Sequence, residues 1–276
     1  MSPARFWYTN TAMSEQVNVV CIKWGRYYSA DYVNRLYAGV ARNLRRPFRF
    51  VCVTDVPDGV RPEVECVPFL PDPGVKGRKW PNVHSKLTLF KRGFAGLQGP
   101  TLCLDIDLLV VDGLDRFFDY RPGDFCIIRN WVERRKGIFR RRPMVGNSSC
   151  FRFDAGTDAS HGVYESFLRD KDDPALDGFF RKGSQKYQTR AMGEHGTVAW
   201  WPDAWVASFK RTCVPVFPFN KLFAPRFPKG ASVIAFHGHP DLPEAIRGYV
   251  VDHHGRSVRP HLTTRPAPWV EEWWTA

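Results

Sequence analysis

Asp105 and Asp107 stand one residue apart, a spacing that suits the binding of a divalent cation. Alternate residues of an extended segment point the same way, with Cα atoms on the order of 7 Å apart. Carboxylate oxygens suit Mg²⁺ and Mn²⁺, which in turn bind diphosphates. The pair lies between the apolar residues 101–104 and 108–111, where two carboxylates are costly without a cation or hydrogen-bond donors. The sequence therefore favours a metal site here over an ordinary turn.

Two histidines near the end of the chain offer a further metal ligand. His237 and His239 alternate at the end of an apolar segment, so we expect their side chains to share a face. A neutral imidazole completes many Mn²⁺ sites, whereas a structural histidine satisfied by hydrogen bonds is the competing interpretation. We favour His237, because Gly238 allows close approach of the backbone to a ligand.

Other polar residues are suited to binding phosphates, a base or sugar hydroxyls. Lys86 and Lys210 offer point charges for phosphate oxygens, although a single lysine is more often a solvated surface charge. Thr54 and Asp55 either contact a base or ribose, or simply form a turn. The remaining candidates are Asn147, Ser148 and Ser149. These three either hydrogen-bond sugar hydroxyls or begin a strand.

The elements expected around these residues alternate between strands and helices. Apolar segments predict strands at residues 17–24, 48–53, 64–67, 101–104, 125–129, 149–153 and 233–236. Apolar residues at helical spacing predict helices behind a Ser29 N-cap and through Leu87, Phe90 and Phe94. Further helices are expected at residues 162–168 and 176–192.

This alternation predicts an α/β fold with a parallel sheet covered by helices. Ligands of such sheets sit beyond the carboxyl ends of the strands. Lys23, Thr54-Asp55 and Asp105-Asp107 all fall at those ends, so we expect them to converge.

The overall charge indicates an anionic partner without choosing its class. The 276-residue chain carries a formal net charge of +12, which suits a nucleotide, a nucleic acid or an acidic membrane surface. Part of the excess is local, in Arg134, Arg135, Lys136, Arg140, Arg141 and Arg142. This stretch is either a solvated loop or a peripheral contact with a membrane or an anionic acceptor. Nucleic acid is the less favoured partner, because no helix-turn-helix, RNP or zinc-finger pattern is visible.

Cysteine usage and hydropathy favour a cytoplasmic protein, at most peripheral to the inner membrane. The seven cysteines form no CxxC pair and mostly occupy apolar segments, which is typical of reduced, buried thiols. The N-terminus shows no apolar signal-peptide region, and no stretch approaches the roughly 18 apolar residues of a membrane span.

Taken together, these segments resemble a family of bacterial glycosyltransferase-like proteins, related to glycosyltransferase family 8 within the GT-A superfamily. The matching segments run in family order between residues 17 and 245, and their order and spacing are more specific than the DxD tripeptide alone. They are residues 20–25 (VCIKWG), 32–37 (YVNRLY), 48–55 (FRFVCVTD), 86–90 (KLTLF), 104–107 (LDID), 147–149 (NSS), 205–210 (WVASFK) and 236–240 (FHGHP).

The resemblance implies a GT-A fold with a Rossmann-like, mostly parallel sheet. We expect a single domain over residues 1–276. Within it, residues 15–112 would bind the nucleotide, residues 113–246 the donor sugar and acceptor, and residues 247–276 would form a C-terminal tail.

The resemblance also implies residue roles. Mn²⁺ or Mg²⁺ would be bound by Asp105, Asp107 and His237. The donor would be held by Lys23, Thr54, Asp55, Lys86, Asp105, Asn147, Ser148 and Lys210.

The chain departs from the family pattern at two places. Such proteins commonly carry Gly-Asp-Gln where this chain has Gly193-Glu194-His195. Glu194 keeps the acidic group one methylene longer, and we take it, with Asp107, as a candidate catalytic residue. They also commonly carry a diphosphate-binding lysine after the His-Gly-x-Pro segment, where Asp241 stands here, unless Lys210 or Lys221 substitutes for it.

The expected activity is therefore metal-dependent transfer of a sugar from a nucleoside-diphosphate donor, with a UDP-sugar expected. The acceptor would be the hydroxyl of a glycan or a lipid-linked acceptor, in cell-envelope polysaccharide synthesis. Relatives in family 8 retain the anomeric configuration, so retention is expected.

Three alternatives stay open. A haloacid-dehalogenase-like phosphatase also places DxD after an apolar strand, with the first aspartate as nucleophile, although normally at the start of its fold. The others are a catalytically degenerate nucleotide-sugar-binding protein and a non-enzymatic binder of nucleic acid or of an anionic surface.

Overall fold

The computed structural model describes residues 16–75, 77–131, 144–181, 184–252 and 254–276. The stretch from Arg134 to Arg142, for which a solvated loop and a contact with a membrane or an anionic acceptor are the two interpretations, lies outside these residues. The first half of the chain forms β1 (Val17–Lys23), α1 (Ala30–Asn43), β2 (Phe48–Thr54), β3 (Glu65–Val67), β4 (Gly99–Leu104), β5 (Leu108–Val110) and α2 (Asp115–Asp119).

The second half has shorter strands and more helices. It forms β6 (Phe125–Arg129), β7 (Gly146–Ala155), α3 (Asp158–Asp170), α4 (Asp177–Arg181), α5 (Gln185–His195), β8 (Val198–Trp200), β9 (Val206–Ser208), β10 (Val233–Ala235), α6 (Leu242–Arg247) and α7 (Trp269–Trp273). Short 3₁₀ helices lie at Val83–Phe90, Phe94–Gly96, Pro174–Leu176, Phe219–Lys221 and Pro260–Leu262, and a π-helical turn at Phe209–Cys213.

The main sheet has seven strands in the order β3-β2-β1-β4-β7-β6-β8. The pairs β3–β2, β2–β1, β1–β4 and β6–β8 are parallel, whereas β7 runs antiparallel to both its neighbours. The expected mostly parallel sheet is therefore confirmed, and the parallel strands β1, β2 and β4 end at one edge.

Both faces of the main sheet are buried, which explains why its strands read as nearly continuous apolar runs. In β1, Val19 and Cys21 face one apolar cluster, while Val20 and Ile22 face the other. This alternation is the period of two that a strand imposes on its side chains.

Two predicted helices differ from those observed. The segment of Leu87 and Phe90 is a 3₁₀ helix that ends at Phe90, because Lys91 takes an extended conformation with ψ 129°; Phe94 belongs to a separate 3₁₀ turn that begins after Gly93. The helix expected at residues 176–192 is instead two helices, α4 and α5. Ser184 precedes the second of them at its N-cap position, where serine is favoured over a helix interior.

A second, three-stranded sheet brings the end of β10 to the DxD segment. β10 lies between β5 and β9, with Ala235 opposite both Leu108 and Ser208. The backbone N–H of Phe236 donates to the carbonyl of Asp107 at 3.2 Å. The residue after Phe236, His237, is thereby carried next to the aspartates, although about 130 residues separate them in the chain.

Arg152 on β7 ties the α2 region to the main sheet. Its side chain is 1% exposed, and its guanidinium donates to the carbonyls of Phe117 at 2.7 Å and Tyr120 at 2.6 Å. It also donates to the carbonyl of Arg121 at 2.5 Å. A buried guanidinium needs such acceptors, and here they are carbonyls at and just beyond the end of α2.

The C-terminal tail returns to the main body of the protein. Ala267 and Val270 are fully buried in the cluster that also holds Val17 of β1 and Val206 of β9, so all three expected parts of the chain contribute to one core. The division into these parts remains a prediction. In the portion of the chain that the structure describes, no helix combines the length and apolarity needed to cross a bilayer.

Candidate functional site

A cavity of about 590 Å³ opens beyond the carboxyl ends of β1 and β4. Six parts of the chain supply its walls. The residues are Ile22 of β1 with Trp24, Tyr27 and Tyr28 after it; Val83 and Lys86; Asp105, Ile106 and Asp107 after β4; Ser148 and Ser149 of β7; Ser184 and Gln185 at the start of α5; and His237 and Gly238 after β10. The cavity therefore lies where ligands bind in open α/β sheets.

Lys86 and Asp105 form the central ion pair of this cavity. The Lys86 ammonium lies 2.5 Å from Asp105 Oδ1 and donates to the Ser148 carbonyl at 2.9 Å. Burial is the largest single influence and lowers the pKa of Lys86, but the charge and hydrogen bond of Asp105, together with Cys103 and Asp107, raise the pKa overall. Lys86 thus presents a permanent positive charge within the cavity, and it is not the solvated surface lysine of the competing interpretation.

Asp107 carries negative charge that the protein compensates only partly. Burial, followed by the charge of Asp105, raises the pKa of Asp107 to about 7. Asp105 to Asp107 form a turn, with Leu108 N–H donating to the Asp105 carbonyl, rather than the expected extended segment. Both aspartates nevertheless line the same cavity, where their mutual repulsion favours a bound cation.

His237 is held neutral by its surroundings. Burial, then the charges of Lys210 and Arg211, lower the pKa of His237 to about 4. Its Nε2 lies 2.7 Å from Ser208 Oγ, and its ring stacks on Trp131 with centroids 5.2 Å apart. The neutral imidazole is the form of histidine that can act as a metal ligand.

Lys210 approaches the cavity from the π-helical turn. Its ammonium would lie 3.6 Å from a Cβ placed on Gly238, a residue of the cavity wall with φ 71°. Burial and the neighbouring Arg211 lower the pKa of Lys210. A cation beside Gly238 is positioned to attract an anionic ligand.

The expected metal ligands are of the right chemical type for a divalent cation, but they do not form a complete binding site by themselves. Asp105, Asp107 and His237 all line the cavity, and carboxylates with an imidazole suit Mn²⁺. Among the described residues, however, no three histidine, cysteine or acidic side chains form a cluster ready to hold a metal. A cation here would need further oxygen ligands, which phosphates and water supply.

Three predicted donor ligands do not line the cavity. The buried Lys23 ammonium donates to the carbonyls of Gly25 at 3.1 Å and Val56 at 3.4 Å. Thr54 Oγ1 exchanges hydrogen bonds with Val56, and Asp55 accepts from the backbone of Gly25 at 2.9 Å. These residues tie the loop after β1 to the loop after β2, so they shape the rim of the cavity.

Two more predicted residues do not line the cavity. Asn147 Oδ1 accepts from Ser149 N–H at 2.9 Å within β7. Glu194 is exposed and pairs with Arg190 Nε at 2.7 Å. The adjoining His195 packs on Gly162 of α3 and lies 2.8 Å from Ser166 Oγ, so the Gly193-Glu194-His195 segment joins α5 to α3.

Ser184 and Gln185 are cavity residues that the sequence analysis missed. They begin α5 and reach the same cavity as the aspartates. The tripeptide Gly183-Ser184-Gln185 keeps two of the three residues of the Gly-Asp-Gln pattern, which was the available signal. The segment Gly193-Glu194-His195, which the sequence analysis matches to that pattern, lies ten positions later in the chain.

Asp241 and His239 are occupied in capping α6. Asp241 Oδ1 accepts from Glu244 N–H at 2.9 Å, and His239 Nδ1 lies 2.8 Å from Glu244 Oε2. Lys221 lines a separate cleft, away from the aspartates. Of the two lysines considered as substitutes at Asp241, Lys210 alone is therefore near the cavity.

No protein-family model matches the sequence, and no curated protein is similar to it in sequence. The fold, in contrast, is shared with solved glycosyltransferases. A galactosyltransferase, LgtC, in complex with donor and acceptor sugar analogs matches 82% of this chain and 88% of its own, at 15% identity and a TM-score of 0.55.

Two longer glycosyltransferases also match. The bifunctional glycosyltransferase WbbM matches 84% of this chain at 12% identity and a TM-score of 0.55, and GlyE of Streptococcus pneumoniae matches 82% at 9% identity and a TM-score of 0.51. This chain spans 48% of WbbM and 56% of GlyE. At such identities the likeness concerns the fold, and on that ground the chain is a GT-A-fold protein.

Proposed function

We propose that this protein is a glycosyltransferase that moves a sugar from a nucleoside-diphosphate sugar to an acceptor hydroxyl. The observation that carries the proposal is the cavity of a GT-A fold in which Asp105, Asp107, Lys86 and His237 meet. Acidic, cationic and neutral imidazole groups together suit a diphosphate accompanied by a divalent cation.

Asp105, Asp107 and His237 would hold Mn²⁺ or Mg²⁺, which when bound neutralises negative charge on a diphosphate leaving group. Lys86 and Lys210 contribute charge of the same sign from the protein itself. Lys86 is anchored by Asp105 and the Ser148 carbonyl, so it is oriented before any ligand arrives. Such preorganised charge is the main way in which a protein stabilises charge that develops during a reaction.

The aromatic wall of the cavity suits the base or the sugar of the donor. Trp24, Tyr27 and Tyr28 follow β1 and line the cavity, and Trp24 and Tyr27 remain largely exposed. Aromatic faces stack on bases and sugar rings, while the phenol and indole groups offer hydrogen bonds. We propose UDP-sugars as the donor class and a glycan or lipid-linked hydroxyl as acceptor, in a cytoplasmic enzyme of envelope polysaccharide synthesis.

Retention of the anomeric configuration is proposed from the family resemblance, but with other residues next to the donor sugar than the sequence suggested. Glu194 does not line the cavity and pairs with Arg190, so its suggested role near the anomeric carbon has no support from this geometry. Gln185 and Ser184 lie on the cavity wall instead and are the better candidates for contacts to the donor sugar. The anomeric configuration of an isolated product, read by NMR, tests retention.

A binding-only protein is the second candidate function. The cavity-lining carboxylates in the described residues are Asp105 and Asp107, and the family's diphosphate-binding lysine is replaced by Asp241. Nucleotide binding without turnover would favour this candidate. The phosphatase alternative does not suit a GT-A fold in which the DxD segment follows β4, and hydrolysis of a generic aryl phosphate would revive it.

The test is a thermal-shift panel of UDP, GDP, CDP and their sugar conjugates, each with and without Mn²⁺. A ligand at a hundred times its Kd stabilises the folded state by about 2.7 kcal/mol, which is a Tm increase of roughly 5 °C or more for a chain of this size. We expect such an increase with one nucleotide class and Mn²⁺, followed by sugar transfer to added acceptors.

Two variants locate the binding. Asp107→Asn is expected to abolish the Mn²⁺-dependent shift, whereas Asp58→Asn, an exposed carboxyl outside the cavity, should leave it unchanged. A folded protein that responds to none of these nucleotides would contradict the proposal.

A further inference from the structure

Large apolar side chains are exposed together on one short segment far along the chain from the DxD turn. Val216, Phe217, Phe219, Leu222 and Phe223 are 72%, 54%, 51%, 66% and 51% exposed. We call these five residues the 216–223 patch. Exposed apolar residues scattered singly need no explanation, but a contiguous group marks an interaction site.

The chain around this patch is almost purely basic. Residues 204–240 contain no aspartate or glutamate but carry Lys210, Arg211, Lys221, Arg226 and Lys229. Residues 248–270 contain one acidic residue, Asp252, which is paired with Arg256 at 3.0 Å. Apolar side chains in a region with an excess of cations are complementary to a surface that is apolar inside and anionic outside.

A second basic, partly apolar segment is fastened beside the patch. Buried Asn220 donates to the carbonyls of Pro260 and Thr263, both at 2.9 Å, and Arg265 donates to the carbonyl of Lys221 at 3.3 Å. Val250 and Leu262 of this segment are exposed. The patch is thus held in place by side-chain hydrogen bonds and is not a free loop.

Cations line the cleft where these segments meet. The cleft has a volume of about 400 Å³, and Lys221, Arg247 and Arg265 contribute to its walls. The Lys221 ammonium lies 5.6 Å from the Phe217 ring centroid, so a charged head and an apolar anchor sit side by side. Phosphate groups match such a cleft when acyl chains meet the neighbouring apolar side chains.

We propose that the 216–223 patch and its basic surroundings bind the surface of an anionic phospholipid membrane. Patch side chains insert among the headgroups and upper acyl chains, while Lys221, Arg226 and Lys229 meet lipid phosphates. The inference goes beyond sugar transfer and does not depend on it. The π-helical turn at Phe209–Cys213 connects the patch to Lys210, so the membrane contact lies close in sequence to the cavity wall.

A second copy of this chain is a less favourable partner for the 216–223 patch than a membrane. A symmetric dimer through the patch would oppose identical surfaces, bringing the same basic residues of two copies together. Like charges across an interface disfavour association, whereas an anionic headgroup layer attracts them. Charge complementarity therefore selects the membrane.

The test is co-sedimentation of the full chain with vesicles of phosphatidylcholine alone or mixed with phosphatidylglycerol. We expect binding to the mixed vesicles, weak binding to phosphatidylcholine, and release at high salt as the charges are screened. Leu222→Ser and Phe223→Ser should each lower the bound fraction roughly tenfold, because each removes one inserted apolar side chain. Lys221→Glu with Lys229→Glu should weaken binding to the anionic vesicles only.

Leu168→Ser, at an exposed leucine of α3 that is 38% accessible, is the matched control and should bind as the parent does. Circular dichroism and Tm establish that each variant is folded. The proposal is overturned if the parent ignores anionic vesicles, or if the patch variants bind as well as the parent, which would assign binding to other basic residues. It is also overturned if sedimentation velocity shows a dimer that Leu222→Ser dissociates.

Discussion

At the scale of single residues, Lys86 decides how much negative charge the cavity carries. Its ammonium pairs with Asp105, and the two side chains are 11% and 28% exposed, so water screens them poorly. Without this cation, Asp105 and Asp107 would repel each other with little compensation.

We expect Lys86→Met to lower the free energy of unfolding by about 1–3 kcal/mol, because it leaves a partly buried carboxylate unpaired. The same change should weaken binding of the nucleoside diphosphate. Lys86→Arg keeps the charge and should recover most of the stability. Urea denaturation and calorimetric titration measure the two effects, and a Lys86→Met variant as stable as its parent would contradict the assigned pair.

The raised pKa of Asp107 predicts a pH effect of definite sign. Its pKa in the folded protein is about 7, against an ordinary value of 3.8. Between these values the folded state holds a proton that the unfolded state has released, so this group makes stability fall as pH rises. Above about pH 7 its penalty is constant.

Asp107→Asn should therefore gain stability relative to the parent as pH rises from 5 to 7, by at most about 1.4 kcal/mol per pH unit. Chemical denaturation at a series of pH values, without added metal, gives the difference. A stability difference that stays constant across this range would show that Asp107 titrates normally.

At the scale of elements, α3 and α5 approach closely because Gly162 has no side chain. A Cβ at residue 162 would lie 2.4 Å from His195 Nδ1, well inside contact distance. The His195 ring cannot simply turn aside, since its Nε2 is engaged with Ser166 Oγ at 2.8 Å. Because α5 begins with the cavity residues Ser184 and Gln185, this packing also positions part of the cavity wall.

We expect Gly162→Ala to destabilise the protein by about 1–3 kcal/mol through overpacking. In a His195→Ala background the same substitution should cost much less, because the clashing ring is gone. A double-mutant cycle measured by urea denaturation isolates this coupling. Additive effects of the two changes would mean that the helices adjust without the predicted clash.

At the scale of the whole molecule, the C-terminal tail supports the aromatic wall of the cavity. Trp274 contacts Tyr32 with ring centroids 5.2 Å apart, and Tyr32 contacts Tyr28 at 4.7 Å. Arg35 of α1 holds the tail by donating to the Trp274 carbonyl at 3.0 Å and lying 4.1 Å from its ring centroid. Tyr28 itself lines the cavity, so a row of rings joins the tail to the site.

Trp274→Ala is expected to weaken nucleotide binding several-fold by loosening Tyr28, with a loss of about 1–3 kcal/mol in stability. Trp273→Ala is the matched control, because Trp273 stacks on Phe227 instead of the tyrosines. The Trp273→Ala variant should lose stability without a comparable loss of affinity for the nucleotide. Calorimetric titration of both variants, with the nucleotide identified in the thermal-shift panel, measures the two affinities. Equal losses of affinity in the two variants would contradict the proposed link from Trp274 through Tyr32 to Tyr28.

Local sequence determined six of the seven strands of the main sheet and the core of the candidate site, whereas it did not predict the short strands β5, β8 and β9. The apolar runs of β1, β2 and β4 are unambiguous because both faces of these strands are buried. Asp105, Asp107, Lys86, Ser148 and His237 were all identified from the sequence, and all five line the cavity. Polar residues that interrupt or end apolar runs are good candidates for site residues, because burying a polar group costs free energy unless it has a partner or a ligand.

Side-chain direction and non-local contacts, in contrast, were decided only by the tertiary structure. Lys23, Thr54 and Asp55 end the right strands, yet their side chains bind neighbouring loops, since position along a strand does not fix what a terminal side chain contacts. Glu194 and Gln185 lie on the same helix, and only its packing against α3 and β7 determines which of them reaches the cavity. That packing depends on Gly162 and Gly146, residues distant in sequence whose missing side chains leave the necessary space.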